Sequence, residues 1–190
     1  MNRVIPYVPE YIFRPRWLIS VPTAWNGCES ILHDILKRFQ VFPGIALEFG
    51  VDYGYSLAAI ANFFNRVIGV DTFKGDINAG YRDETLMDQT KNALKDFKNI
   101  ALVQSDFRDY IREYNSKCSR YNLIHVDIVH NYKDTNDCVA WSVQHSDVVL
   151  VHDTIAFPEV RRAVQDVCWE TGRGFYEYQV DHGLGILVKE

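Results

Sequence analysis

Two carboxylates, Asp127 in Leu123-Ile124-His125-Val126-Asp127 and Asp153 in Val151-His152-Asp153-Thr154, each stand at the end of a short apolar run. If those runs are neighbouring strands of one sheet, both acids emerge at the same edge, and two close carboxylates invite a cation. Oxygen donors suit Mg²⁺, which keeps several waters or accepts substrate hydroxyls, whereas His152 beside them draws a softer transition metal. Asp127, His152 and Asp153 are therefore the candidate metal ligands, with the identity of the ion left open. A cation that lowers the pKa of a hydroxyl needs a proton acceptor beside it, and His130, three residues after Asp127, is the candidate base. His130 and Asp127 form the candidate catalytic pair. Each histidine also has a plainer reading: His152 as a hydrogen-bonding group within the sheet and His130 as a solvated side chain in His130-Asn131-Tyr132-Lys133-Asp134. His125 is assigned to structure.

A second constellation lies in Ala46-Leu47-Glu48-Phe49-Gly50-Val51-Asp52-Tyr53-Gly54-Tyr55-Ser56, between an apolar run and an apolar-periodic stretch. Open α/β sheets bind ligands at that position. Gly50 and Gly54 permit a tight turn and close backbone approach, and Ser56 is placed to cap a helix whose free N–H groups can meet a carboxylate. Glu48 is placed to accept hydrogen bonds from an ammonium group and would repel a pyrophosphate. Asp71, ending Val67-Ile68-Gly69-Val70-Asp71-Thr72, can take both hydroxyls of a ribose. Asp106, after Val103-Gln104-Ser105, can meet an adenine amine, with Phe107 against the ring. An amino acid, a ribose and an adenine on three successive strand ends describe S-adenosylmethionine (SAM). The expected cofactor contacts are Glu48, Gly50, Tyr53, Gly54, Ser56, Asp71, Thr72, Ser105, Asp106 and Phe107. The loop lacks the G-x-G-x-x-G spacing of dinucleotide binders, because Asp52 stands at the second glycine. The plainer readings are turn glycines, a helix cap at Asp106 and a core Phe107. Trp25, Tyr53 and Tyr132 are candidates to line a substrate pocket.

These residues need a scaffold that stacks strand ends along one edge. From Ile45 onward short apolar runs alternate with amphipathic stretches, the rhythm of a parallel sheet with helices on both faces. The runs predict strands at Ile45 to Phe49, Val67 to Val70, Ile100 to Gln104, Leu123 to Asp127 and Val148 to His152. Helices are predicted from Ile31/Leu32/Ile35/Leu36/Phe39, stopped by Pro43-Gly44, and from Leu57/Ile60/Ala61/Phe64, Leu86/Ala93/Leu94/Phe97 and Phe107/Tyr110/Ile111/Tyr114. A further helix has Pro158 in its first turn, Val160/Ala163/Val164/Val167/Cys168 on one face and Gly172 past its end. Phe175 to Tyr178 and Leu184 to Val188, joined by Asp181-His182-Gly183, predict a closing antiparallel hairpin. Pro6, Pro9, Pro15 and Pro22 forbid a long helix in residues 1–27 and predict an extended arm that covers the substrate side without entering the core. The expected organisation is that arm followed by one domain over residues 28–190.

With 190 residues and 47% apolar content the chain can bury a sizeable single core. A net charge of −5 leaves no basic footprint, which argues against nucleic acid or an anionic membrane as partner and for a small polar or neutral substrate. Cys28, Cys118, Cys138 and Cys168 form no C-x-x-C pair and read as ordinary reduced thiols. No apolar leader core or membrane-spanning run is present in the sequence, so the expected location is the cytoplasm.

Five ordered segments carry a resemblance. They are Leu47 to Ser56, then Gly69-Val70-Asp71-Thr72-Phe73-Lys74-Gly75-Asp76, His125-Val126-Asp127-Ile128-Val129-His130-Asn131-Tyr132, Val151-His152-Asp153-Thr154 and His182-Gly183-Leu184-Gly185-Ile186-Leu187. The chain resembles the class I SAM-dependent methyltransferases, specifically the metal-dependent sugar and antibiotic O-methyltransferases. The resemblance implies a Rossmann-like, seven-stranded, mostly parallel sheet of order 3-2-1-4-5-7-6, with SAM across the C-terminal ends of the first four strands. It implies methyl transfer to a hydroxylated small molecule, sugar or polyol, with a divalent metal. The chain departs from that group at Ile128, where a glycine is usual, at Ser146-Asp147 in place of a glycine pair, and at His152, where relatives carry a carboxylate. It also lacks a large specificity insertion, so acceptor recognition is expected from the arm or from another subunit of a homo-oligomer. The alternative reading keeps SAM binding but makes the chain a regulatory module without turnover.

Overall fold

The computed structural model describes residues 4–114 and 120–189, and Cys118 lies outside them. The chain begins with β1 (Ile5–Pro6), a 3-10 turn (Cys28–Ile31) and α1 (Leu32–Arg38). It continues through β2 (Ile45–Phe49), α2 (Tyr55–Ala61), β3 (Arg66–Asp71), the short β4 (Gly75–Asp76) and β5 (Gly80–Tyr81), and α3 (Leu86–Ala93). Then come β6 (Ile100–Gln104), α4 (Phe107–Tyr114), β7 (Leu123–Val126), α5 (Tyr132–His145), β8 (Val148–His152), α6 (Pro158–Thr171), β9 (Gly174–Tyr178) and β10 (Leu184–Val188).

One sheet takes the order β1-β9-β10-β8-β7-β2-β3-β6. Leaving β1 aside, the seven remaining strands stand in the order 3-2-1-4-5-7-6, as the resemblance implies. The strands β6, β3, β2, β7 and β8 pair in parallel, and β10 runs antiparallel between β8 and β9. The central strands form because both of their faces are covered. Ala46, Val67, Leu123 and Leu150 pack on the side of α1 and α2, while Leu47, Ile124, Val126 and Val149 pack beneath α5 and α6. Each of the larger of these side chains contributes about 1.5–3 kcal/mol when fully buried, so truncating one opens a costly cavity. No helix among the described residues is long and apolar enough to cross a membrane. Cys28, Cys138 and Cys168 are buried.

The short β4–β5 pair, α5 and the arm depart from the sequence expectation. The helix α5 has no predicted counterpart, because its buried residues mix Val139, Trp141 and Val143 with Thr135, Cys138 and Ser142 and so blur the apolar period. Local bonds make the polar ones buriable: Ser142 Oγ donates to the Cys138 carbonyl at 2.7 Å. Its start is fixed by Asn131, whose side chain accepts from Asp134 N–H at 2.9 Å. The arm, expected to stay off the core, enters it. Ile5 and Pro6 add a strand in parallel to β9, and both Tyr7 and Trp25 are buried. An extended, proline-bearing segment suits a sheet edge, and the buried Asp34 anchors it by accepting from the Tyr7 hydroxyl and from the N–H groups of Glu10 and Tyr11.

Candidate active site

The C-terminal ends of β2, β3, β6, β7 and β8 open on one cavity of about 390 Å³. Its floor begins at Gly50, which has φ +85°, and a Cβ there would fall 1.6 Å from the Asp127 carbonyl oxygen. Only glycine lets the loops after β2 and β7 close this tightly. Gly54, at φ +88°, occupies the N-cap of α2, so Ser56 is not the cap expected from the sequence but a residue of the first turn that lines the cavity. The loop between these glycines is folded on Asp71. One oxygen of that carboxylate accepts from Val51 N–H at 2.6 Å and Asp52 N–H at 2.9 Å, and the other from Phe73 N–H at 2.6 Å. A carboxylate offers about four acceptor sites, so one is left for a ligand rather than two.

Gly50, Tyr53, Gly54, Ser56, Asp71, Thr72, Ser105, Asp106 and Phe107 all line the cavity. Asp106 is engaged with its neighbour, accepting from Arg108 N–H at 2.8 Å and from the guanidinium at 2.9 Å. Phe107 is largely core, edge-on to Phe49 at 6.4 Å. Tyr53 stacks beneath Arg82 at 5.0 Å, and that guanidinium grips Asp52 through two bonds of 2.9 and 3.0 Å. Glu48 does not reach the cavity. It is fully buried and bonded to His125 Nδ1 at 2.6 Å. Trp25 Nε1 has only a proton to give and donates to His125 Nε2 at 3.2 Å, which places the imidazole proton on Nδ1, facing Glu48. Burial pushes the Glu48 carboxyl up, and the bond from His125 offsets this only in part.

At the other end Asp127, His130 and Asp153 bring three ligand atoms within 4.8 Å of one another. His130 Nε2 stands 2.6 Å from Asp153 Oδ2 and 3.8 Å from Asp127 Oδ1. Neither nitrogen of His130 is aligned for a hydrogen bond, though both are shielded from solvent, and the ring stacks on Phe157 at 4.1 Å. His152 Nδ1 lies 3.3 Å from both Asp127 Oδ2 and Asp153 Oδ2. Burial disfavours charge on each group, but the opposite charges outweigh it. His130 is raised to about 9 and His152 to about 12, while Asp127 and Asp153 are held below the usual carboxylate range. Asp153 adopts φ +66°, a left-handed conformation that aspartate tolerates better than most residues and that its backbone bond to Gly183 holds in place.

The cavity wall includes Trp25, a candidate from the sequence, and further residues that local pattern does not mark. Pro22 to Trp25 of the arm form one side, and Asn78 on the β4–β5 turn accepts weakly from His130 N–H at 3.3 Å. His182, from the β9–β10 turn, lines the cavity beside Asp153. Its segment matches the resemblance, which was the available pointer. Tyr132 lies outside the cavity wall and donates to Asp166 at 2.8 Å.

An open parallel sheet of this order, with its glycine loop after the first central strand, is the Rossmann-like fold of class I methyltransferases. A family model described as a methyltransferase domain matches residues 47–154, more than half of the chain, and the chain belongs to that family of methyltransferases. The match runs from the glycine loop to the residue after Asp153. No protein among the curated sequences matches the chain. Among solved structures, the O-methyltransferase from Bacillus cereus in complex with S-adenosylhomocysteine has a TM-score of 0.63 at 15% identity, covering 82% of this chain and 78% of that one. The O-methyltransferase TomG from Streptomyces achromogenes, involved in tomaymycin synthesis and in complex with SAM, has a TM-score of 0.63 at 16% identity, with 91% and 92% covered. Fibrillarin from Aeropyrum pernix, with natively bound SAM, has a TM-score of 0.56 at 14% identity, with 77% and 66% covered. These likenesses are of fold.

Proposed function

We propose that the protein is a SAM-dependent O-methyltransferase acting on a hydroxylated small molecule of the sugar or polyol kind, with a divalent cation at Asp127 and Asp153. The observation that carries this reading is the meeting, in one cavity, of the Gly50/Gly54 loop with the acid and histidine cluster. Two of the solved structures of this fold are O-methyltransferases and hold SAM or its demethylated product. The glycine loop fits such a cofactor, since Gly50 and Gly54 line the cavity without side chains that would fill it. In this reading Tyr53, Ser56, Asp71, Thr72, Ser105, Asp106 and Phe107 form the cofactor wall, and Glu48 buttresses the loop from below.

SAM supplies an electrophilic methyl group. The cation supplies the charge that lowers the pKa of an acceptor hydroxyl. Asp127 and Asp153 would hold it, a role that fits the unaligned His130 Nε2 packed against their oxygens. Carboxylates suit Mg²⁺, and the imidazole beside them suits Mn²⁺ as well or better. With a cation on Asp127 and Asp153, the negative charge that raises His130 would be neutralised, leaving its imidazole free to receive the hydroxyl proton, and its stacking on Phe157 fixes the ring for that task. The convergence of its Nε2 with both acids favours a second reading, in which His130 completes the ligand set. The polar wall of Asn78, Asp127, His130, Asp153 and His182 supports an acceptor with several hydroxyls.

Calorimetric titration should show binding of S-adenosylhomocysteine and none of NAD, and the reverse result would end the cofactor assignment. Radiolabelled methyl transfer to a panel of sugars and polyols should cease in excess chelator, and full activity there would remove the metal. Mn²⁺ affinity retained in His130→Ala, with turnover down roughly 100- to 10,000-fold, marks a base. Lost Mn²⁺ affinity marks a ligand.

A further inference from the structure

We propose that His182 is a positioning residue that sets the Asp153 carboxylate for the cation, an inference that rests on the metal reading above. The β9–β10 turn carrying His182 is fastened to the segment after β8 by three backbone bonds. Asp153 N–H donates to the Gly183 carbonyl at 2.9 Å, and the N–H groups of Ile155 and Ala156 both donate to the His182 carbonyl, at 3.0 and 3.1 Å. Gly183 has φ +83°, and a Cβ there would fall 2.5–2.9 Å from Ile155 atoms. The two segments therefore close on one another only with glycine at that place, and the closure fixes the His182 backbone beside Asp153.

The side chains divide the carboxylate between two sides. Oδ2 of Asp153 faces the cluster, 2.6 Å from His130 Nε2 and 3.3 Å from His152 Nδ1, whereas Oδ1 is 3.0 Å from His182 Nδ1. A carboxylate can only accept from the ring, so Nδ1 of His182 carries the proton and holds Oδ1 away from the cluster. The His182 ring lies parallel to that of His152, 15° apart with centroids at 5.9 Å, in keeping with one fixed orientation. With Oδ1 engaged, Oδ2 is the oxygen offered to the ion. Partners that orient a ligating group in this way change metal affinity by roughly 10- to 100-fold when removed.

The test is a titration of Mn²⁺ alone into the full chain, followed by electron paramagnetic resonance and calorimetry, with thermal melts as the control for folding. His182→Ala should bind Mn²⁺ roughly 10- to 100-fold more weakly than the wild type. His182→Asn, whose amide nitrogen takes the place of Nδ1, should recover most of that affinity, and it keeps the test open should the alanine variant not fold. Wild-type affinity in His182→Ala overturns the inference, as does an asparagine variant as weak as the alanine one at an unchanged melting temperature. Both results leave the metal reading standing. A wild-type chain that binds S-adenosylhomocysteine but no Mn²⁺ overturns the inference by removing the metal reading itself.

Discussion

Replacing Asp71 with alanine removes the acceptor on which the loop after β2 is folded. Its carboxylate takes three backbone N–H groups, from Val51, Asp52 and Phe73, at 2.6, 2.9 and 2.6 Å. A hydrogen bond to a charged group contributes about 1.5–3 kcal/mol net, so simple addition gives about 4.5–9 kcal/mol. Two of the donors share one oxygen and the residue is half-buried, so water replaces part of what is lost. The expected destabilisation is about 3–5 kcal/mol, since contributions within one network do not add. Asp71→Asn keeps a carbonyl oxygen that can serve Val51 and Asp52 together, and should lose about half as much. Urea unfolding without cofactor measures both variants, and calorimetry with S-adenosylhomocysteine then reads the ligand. Affinity should fall in step with stability, because the loop and the remaining acceptor site go together. An alanine variant that unfolds like the wild type without cofactor, yet no longer binds it, would refute the loop role and leave the carboxylate a ligand contact only.

Asp34→Ala should release the arm, since Asp34 accepts from the Tyr7 hydroxyl and from Glu10 and Tyr11 N–H groups and pairs with Arg38 at 3.3 Å. The expected loss is about 2–4 kcal/mol, with fast amide exchange over residues 5–13, and unchanged exchange protection there would sink the anchor. Glu48→Gln tests the buried carboxyl through pH. Its folded pKa is raised by burial, so its favourable contribution is complete below the ordinary value of about 4.3 and is lost as pH rises through the folded value. The stability of the glutamine variant relative to wild type should therefore increase as pH rises from 4 toward neutrality, and a difference that stays flat with pH contradicts the assignment.

What the sequence reveals and what it hides have separate physical causes. The strand at Ile45 to Phe49 is legible because a central parallel strand is buried on both faces, so an apolar run suffices without alternation. Asp127 and Asp153 are legible as a pair because acids that end neighbouring parallel strands share an edge. Glu48 also ends a strand, yet it faces the register partner His125, and an imidazole on the same face captures the carboxylate before a ligand can. That pairing depends on which strand lies next to β2, and local pattern does not carry it. The β1 strand is hidden for the same reason, since two residues become a strand only because Ile5 finds Tyr176 at a distant edge.

The same cause makes the wall less legible than the floor. The floor residues sit on loops that directly follow parallel strands, so their place is implied by the strand itself. Trp25 and His182 come from opposite ends of the chain and reach the cavity through tertiary closure. Trp25 is held there by its bond to His125, and His182 because β10 inserts between β8 and β9 and carries the turn to Asp153. A wall built this way stands apart from the floor, because both residues reach it from outside the parallel strands. Acceptor preference in this fold is therefore expected to track the arm and the last hairpin, whereas cofactor binding tracks Gly50 and Asp71.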